Sequence, residues 1–177
     1  MQTIGAVYTQ TGTIVPSKSE GDSLLSDGYG FKHDSQVFLS PLETLFLLEN
    51  NKISLVDEIT RNLVHFNELF NEYYHEDNEL WSKYIVFKDI RERGFTIKTA
   101  DNKFGFQVYE RGTYQKKPPS YFLYILNEGS SETISNLKEI LNKSIEYDMK
   151  LKLAVIDRRG EIVYYSLDIM DFNHDLK

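Results

Sequence analysis

The sequence has no cysteine. Disulfide frameworks, zinc–thiolate sites, iron–sulfur clusters and cysteine nucleophiles are thereby excluded. Histidine is scarce, at His33, His65, His75 and His174, and no two lie at metal-ligand spacing. No apolar run approaches the roughly 20 residues that span a bilayer. Met1 to Tyr8 holds neither a basic residue nor a long apolar stretch, so a secretory signal is not expected there. No Gly-rich phosphate loop is present, and Gly28-Tyr29-Gly30 reads as a turn. The expectation is a cytoplasmic protein with no membrane contact and no cofactor.

What is present is a folding composition. The 177 residues are 41% hydrophobic and 27% charged, and 14% are aromatic, so a core can be filled. The net charge is −7, unevenly placed. Through Glu76 there are 4 basic and 11 acidic residues, and from Asp77 onward 16 of each. Acidity is thus confined to the first part, which suggests two units with different partners. An acidic chain is a poor default nucleic-acid binder, although the neutral second part can still carry a basic face.

Periodicity and punctuation predict a mixed α/β (α+β) chain of two units, residues 1–76 and 77–177. Thr3–Tyr8, Thr13–Val15 and Val37–Leu39 read as strands, and the Ser-, Gly- and Asp-rich stretch from Pro16 to Gly30 as loop. Ser40-Pro41-Leu42-Glu43 is a helix start with a capping box, and the helix runs to about Glu49. A second helix is expected from a Ser54 cap, with Leu55, Ile59, Leu63, Phe66 and Phe70 on its apolar face and His65 beside them. The later unit opens with a helix over 79–93, closed by Gly94. Strands follow at 95–98, 104–109, 121–126, 151–156 and 161–167. A helix over 132–147 presents Ile134, Leu137, Leu141 and Ile145. Asp157-Arg158-Arg159-Gly160 is a tight turn.

Taken singly, few residues announce chemistry. Asp57-Glu58 reads as a helix-start acid pair. Lys116-Lys117-Pro118-Pro119 is a basic inter-strand loop that fits either solvent or an RNA or partner contact, and Tyr109-Glu110-Arg111-Gly112 ends a strand. As an ordered set the segments say more. Val86-Phe87-Lys88-Asp89-Ile90-Arg91-Glu92-Arg93-Gly94-Phe95, Ile97-Lys98-Thr99, Phe104-Gly105, Val108 to Gly112, Ala154-Val155-Ile156-Asp157 and Val163-Tyr164-Tyr165 closely resemble the archaeal tRNA-splicing endonuclease family. Leu39 to Glu49 resembles that family's N-terminal helix.

The resemblance implies a restriction-nuclease-like central sheet flanked by helices in the second unit. It also implies metal-free cleavage of precursor tRNA at bulge–helix–bulge sites, leaving 2′,3′-cyclic phosphate and 5′-hydroxyl ends. In that chemistry a Tyr helps to take the 2′-hydroxyl proton, a His protonates the leaving oxygen, and a Lys offsets charge on the phosphorane. The Tyr falls on Tyr109. The His position falls on Pro119, and the Lys position on Met149 or, with a one-residue shift that turns the side chain to the other strand face, on Lys150.

One triad position kept, one lost and one open between Met149 and Lys150 resembles the non-catalytic structural subunit of the family's heterotetrameric enzymes, which works beside a catalytic homologous subunit. The assembly positions implied are Asp157 and Glu161 in the turn, and Ile162, Val163, Tyr164 and Tyr165 in the last strand. Arg111, Lys116, Lys117, Arg158 and Arg159 are candidates for RNA or partner contact. Positions matching the family's base-clamping arginines hold Asn142 and Tyr164, so that clamp is not expected here. Two rival readings remain: a self-sufficient ribonuclease using Tyr109 and Lys150 with water or His174 as acid, and an interaction module outside any splicing complex.

Overall fold

The computed structural model describes residues 3–100 and 105–169. The chain divides into two compact units, Met1–Tyr84 and Ile85–Lys177, each built on a five-stranded sheet with helices packed on it.

The first unit contains β1 (Ile4–Thr9), β2 (Gly12–Val15), α1 (Lys18–Ser26), β3 (Phe31–His33), β4 (Gln36–Leu39), α2 (Pro41–Glu49), β5 (Ile53–Asp57) and α3 (Phe66–Glu76). The strand order is β3-β4-β2-β1-β5, with β5 parallel to β1. The capping box of α2 forms as its sequence predicts. Ser40 Oγ accepts from the Glu43 amide, and Glu43 Oε2 accepts from the Ser40 amide. The second oxygen of Glu43 accepts from Gly30 N at 2.9 Å, which pins the β3 approach to the same buried carboxylate. Leu45, Leu47, Leu55 and Leu69 are fully buried and form the heart of this unit.

Two expectations fail here. The polar stretch after Pro16 is not all loop, because Lys18–Ser26 is helical and buries only Gly21 and Leu24. So thin an apolar stripe leaves little periodic signal. The helix expected from Ser54 is strand β5, followed by a turn in which Asp57 accepts from the amides of Ile59 and Thr60. Ile59 and Leu63 are exposed, and His65 sits at the N-terminal boundary of α3 rather than within a helix. The apolar residues of 53–70 satisfy a helical period by coincidence. The alternation of buried Ile53 and Leu55 with partly covered Ser54 and Val56 fits a strand instead.

α4 (Leu80–Glu92) leads into the second unit and ends at Gly94, whose φ of +85° is the left-handed conformation that glycine adopts readily. There follow β6 (Thr96–Thr99), β7 (Gly105–Tyr109), β8 (Tyr121–Asn127), α5 (Ile134–Glu146), β9 (Lys150–Ile156) and β10 (Ile162–Ser166). The order is β10-β9-β8-β7-β6, with β8 and β9 parallel across α5 and the other neighbours antiparallel.

One sheet face packs under α5, where Phe122, Tyr124, Met149, Leu151 and Leu153 meet Leu137, Ile140 and Leu141. On the other face Phe106 meets Phe87 of α4. The expected α5 face is rotated. Ile134 is 85% and Ile145 52% exposed, while Leu141 and Ser144 are buried. Gly105 is required by packing, because a Cβ there would stand 2.4 Å from the ring of Phe122. The fold is α+β.

Candidate functional site

The three positions singled out in the second unit converge at one end of its sheet. Tyr109 closes β7. The chain then turns through Gly112 (φ +70°) and Gln115 (φ +63°) and returns at Ser120, whose amide donates to the Val108 carbonyl. The Lys150 amide donates in turn to the Ser120 carbonyl. These two bonds set the ends of β7, the 110–120 loop and β9 side by side, so Tyr109, Pro119 and Met149 occupy neighbouring chain ends.

Strand parity then decides which side chains share a face. Gln107 lines a groove with Phe122, Pro118, Pro119 and Met149, under Ile140, Lys143, Ser144 and Tyr147 of and after α5. Tyr109 is two residues from Gln107 and therefore on the same face. The groove has a volume of about 540 Å³. Met149 is 7% exposed and packs in the apolar cluster beneath α5. Leu151 belongs to that cluster too, so Lys150 between them points to the opposite face and is exposed to solvent. That opposite face carries Lys152, whose ammonium lies 5.6 Å from the Tyr121 ring centre and 2.6 Å from Ser166 Oγ.

The electrostatics around Tyr109 are those of a neutral phenol. Burial pushes its pKa above the usual phenol value, and the neighbouring Tyr114, edge-on at 5.0 Å between ring centres, pushes the same way. Lys98 lies over the Tyr114 ring at 5.2 Å. The loop is held by Tyr121, whose hydroxyl donates to Glu110 Oε1 at 2.6 Å, and by Thr113, whose hydroxyl donates to the Glu110 carbonyl.

The basic candidates are exposed. Arg111 stacks its guanidinium on Phe95 at 5.2 Å, and Lys116 donates to the Gly112 carbonyl at 3.3 Å. Lys117 follows in the exposed run before Pro118. Gln107, Lys143 and Tyr147 escaped the sequence reading. The parity of Gln107 with Tyr109 was available, but the approach of Lys143 and Tyr147 depends on how α5 is rotated.

At the other end of the unit, Asp157 is spent on its own turn. Its Oδ1 accepts from the amides of Arg159 and Glu161, both at 2.8 Å, and Gly160 takes φ +83°. Arg158, Arg159 and Glu161 are exposed at this tip. Strand β10 is the sheet's edge, with Val163 and Tyr165 exposed and Ile162 and Tyr164 half-buried. The Tyr164 hydroxyl donates to Asp89 at 2.6 Å, and the Arg93 guanidinium lies 5.6 Å from its ring centre. Asn142 is exposed on α5. His174 lies outside the described residues. Among the described residues no cluster of three His, Asp or Glu side chains could hold a metal ion, and no helix is long and apolar enough to cross a membrane.

Comparison with known proteins matches both units. Residues 80–164 match the tRNA intron endonuclease catalytic C-terminal domain, and residues 9–70 match the tRNA intron endonuclease N-terminal domain. A tRNA-splicing endonuclease of Methanococcus maripaludis is 30% identical over 168 residues, covering 94% of each chain. Those of Pyrococcus abyssi and Thermococcus gammatolerans are 29% and 30% identical, over 82% and 81% of this chain and 83% and 84% of their own.

Proposed function

Because this chain belongs to the tRNA-splicing endonuclease family, we propose that its departures from the catalytic pattern make it a structural subunit. It would sit beside a catalytic homologous subunit in a heterotetramer acting on precursor tRNA at bulge–helix–bulge sites.

One observation carries this reading. Pro119 and Met149 line one groove, and they are the positions that the resemblance assigns to the proton donor and to the cation. Proline has no proton to give. The only lysine within one residue of the cation position, Lys150, faces away by strand parity. Loss of a general acid alone costs about 10²–10⁴-fold in rate. The raised pKa of Tyr109 further disfavours the phenolate that would accept a proton.

The same reading gives β10 a task. An apolar, β-prone edge strand aggregates unless it is paired, and a partner's strand would pair it. Ile162, Val163, Tyr164 and Tyr165 form that contact, flanked by the turn of Asp157, Arg158, Arg159 and Glu161. Arg111, Lys116 and Lys117 remain available to RNA or to the partner.

The test substitutes Tyr109→Phe in the assembled enzyme. A structural subunit loses less than about tenfold in cleavage rate, since removing a general base costs about 10²–10⁴-fold where one is used. A larger loss, with assembly intact, assigns chemistry to this chain and favours the self-sufficient ribonuclease.

A further inference from the structure

The second unit has a pocket on the sheet face that carries Lys152, across the sheet from the groove. Just past the end of α4, Phe95, Tyr121 and Tyr164 wall a space of about 230 Å³. Ile90, Val108 and Leu123 line it too and are buried. Strand register gathers these residues, with Val108 of β7 beside Tyr121 of β8, and Leu123 of β8 beside Lys152 of β9. The volume is below the roughly 300–1,000 Å³ of ordinary ligand sites. It suits one planar ring, with the rest of the ligand outside.

The charges that touch this lining select the ligand. Lys152 lies 5.6 Å from the Tyr121 ring centre and donates to Ser166 Oγ at 2.6 Å, one use of an ammonium with three donors. Arg111 stacks on Phe95 at 5.2 Å, and Arg91 donates to the Phe95 carbonyl at 3.4 Å. Arg93 lies 5.6 Å from the Tyr164 ring centre. Two carboxylates reach the same rings. Glu110 accepts from the Tyr121 hydroxyl and Asp89 from the Tyr164 hydroxyl, and Asp89 also pairs with Arg93 at 2.8 Å. Four cations against two carboxylates leave the rim positive. Among the described residues no carboxylate lies within ion-pair distance of Lys152 or Arg111. Rings interleaved with cations hold an unstacked base and the phosphate beside it. A carboxylate side chain would meet the cations and leave the ring pocket empty. An aliphatic one would fill the pocket and leave the cations unanswered.

We propose that this pocket binds one nucleotide of a single-stranded RNA segment, with its base among Phe95, Tyr121 and Tyr164 and its phosphate on Lys152 and Arg111. The match to tRNA intron endonuclease domains makes an RNA strand the source of that nucleotide. The inference does not rest on the subunit reading above, since pocket and groove lie on opposite faces of the sheet. Nor is it the family's arginine clamp, because Asn142, one of the two clamp positions, sits on α5 across the sheet.

The full chain is titrated with a short end-labelled oligouridylate and followed by fluorescence anisotropy. An abasic ribose-phosphate oligomer of the same length is the comparison. Uridine monophosphate and a peptide of Glu and Phe are competitors. The abasic oligomer should bind at least about fivefold more weakly than the oligouridylate, the scale of one base stacked on a ring. Lys152→Gln should weaken binding and reduce the slope of log affinity against log salt by about 0.7, one phosphate contact on a single strand. Lys18→Gln, in the first unit, should do neither. Phe95→Ala, with the fold checked by circular dichroism, should weaken the oligouridylate about fivefold or more and leave the abasic oligomer unchanged. Four results overturn the proposal. The chain fails to bind the oligouridylate at low salt, the abasic oligomer binds as tightly, Lys152→Gln acts no differently from Lys18→Gln, or the monophosphate or the peptide displaces the label as readily as unlabelled strand does.

Discussion

Placing His at 119 and Lys at 149 is a demanding test of the proposed role of the groove. Pro119→His puts a proton donor at a half-buried loop position, and Met149→Lys puts an ammonium beneath α5. The stability cost can be bounded from the structure. Met149 is 7% exposed, and lysine has similar bulk, so the penalty is mainly desolvation of the ammonium rather than a cavity. The groove is open beside it, which lets the head group reach water along its own stem. A dry ammonium would cost several kcal/mol, and access to water along the groove lowers that cost. Exchanging Pro119 adds about 0.4–1 kcal/mol through a looser unfolded chain. Both changes fall within the reserve of an ordinary domain, about 5–15 kcal/mol.

On the rate side, a working general acid is worth about 10²–10⁴-fold, and a positioned cation about 10²–10³-fold. The double variant should therefore cut bulge–helix–bulge RNA in the presence of a chelator, with cyclic-phosphate ends, at least about 10²-fold faster than the parent chain. Each single variant should give much less, because the groups act as a unit. A folded double variant no faster than the parent would refute the placement of these residues in a vestigial active site.

Two further outcomes concern the scaffold. Glu43→Ala removes the acceptor for both Gly30 N and Ser40 N, so the first unit should lose about 2–6 kcal/mol, at about 1–3 for each stranded amide. Urea unfolding followed by Trp81 emission reads this directly. Burial pushes the Tyr73 phenol up to about 12, so its contribution to stability is complete below the usual phenol value and is lost as pH rises from there through about 12. Alkaline titration of phenolate absorbance should show a late-ionising tyrosine that Tyr73→Phe removes.

The second unit was more legible than the first because its punctuation is local. Gly94 stops α4, and the runs at β7, β8 and β9 are apolar enough to read as strands. In the first unit the residues of 53–70 fit a helical period, yet Ile53–Asp57 is drawn into the sheet by parallel pairing with β1, a contact far away in sequence. Helix α1 was hidden by its Ser, Gly and Asp content. At the site, the displacement of Lys150 from the groove face was readable from strand parity. That Lys143 and Tyr147 line the same groove as Pro119 was not, because the rotation of α5 is set by which side chains reach Phe122 and Leu151. Ile134 and Ile145 are apolar and still left outside.

The central claim is that this chain shapes an RNA-cutting assembly without cutting. The most direct measurement is chelator-treated cleavage of a bulge–helix–bulge RNA by the purified chain alone, repeated after adding a homologue with Tyr, His and Lys all in place. The account predicts no product from the chain alone, and cyclic-phosphate and 5′-hydroxyl ends on mixing, beyond what the homologue yields by itself. Cleavage by the chain alone, with the same ends, would contradict it and require a proton donor other than the residue at 119.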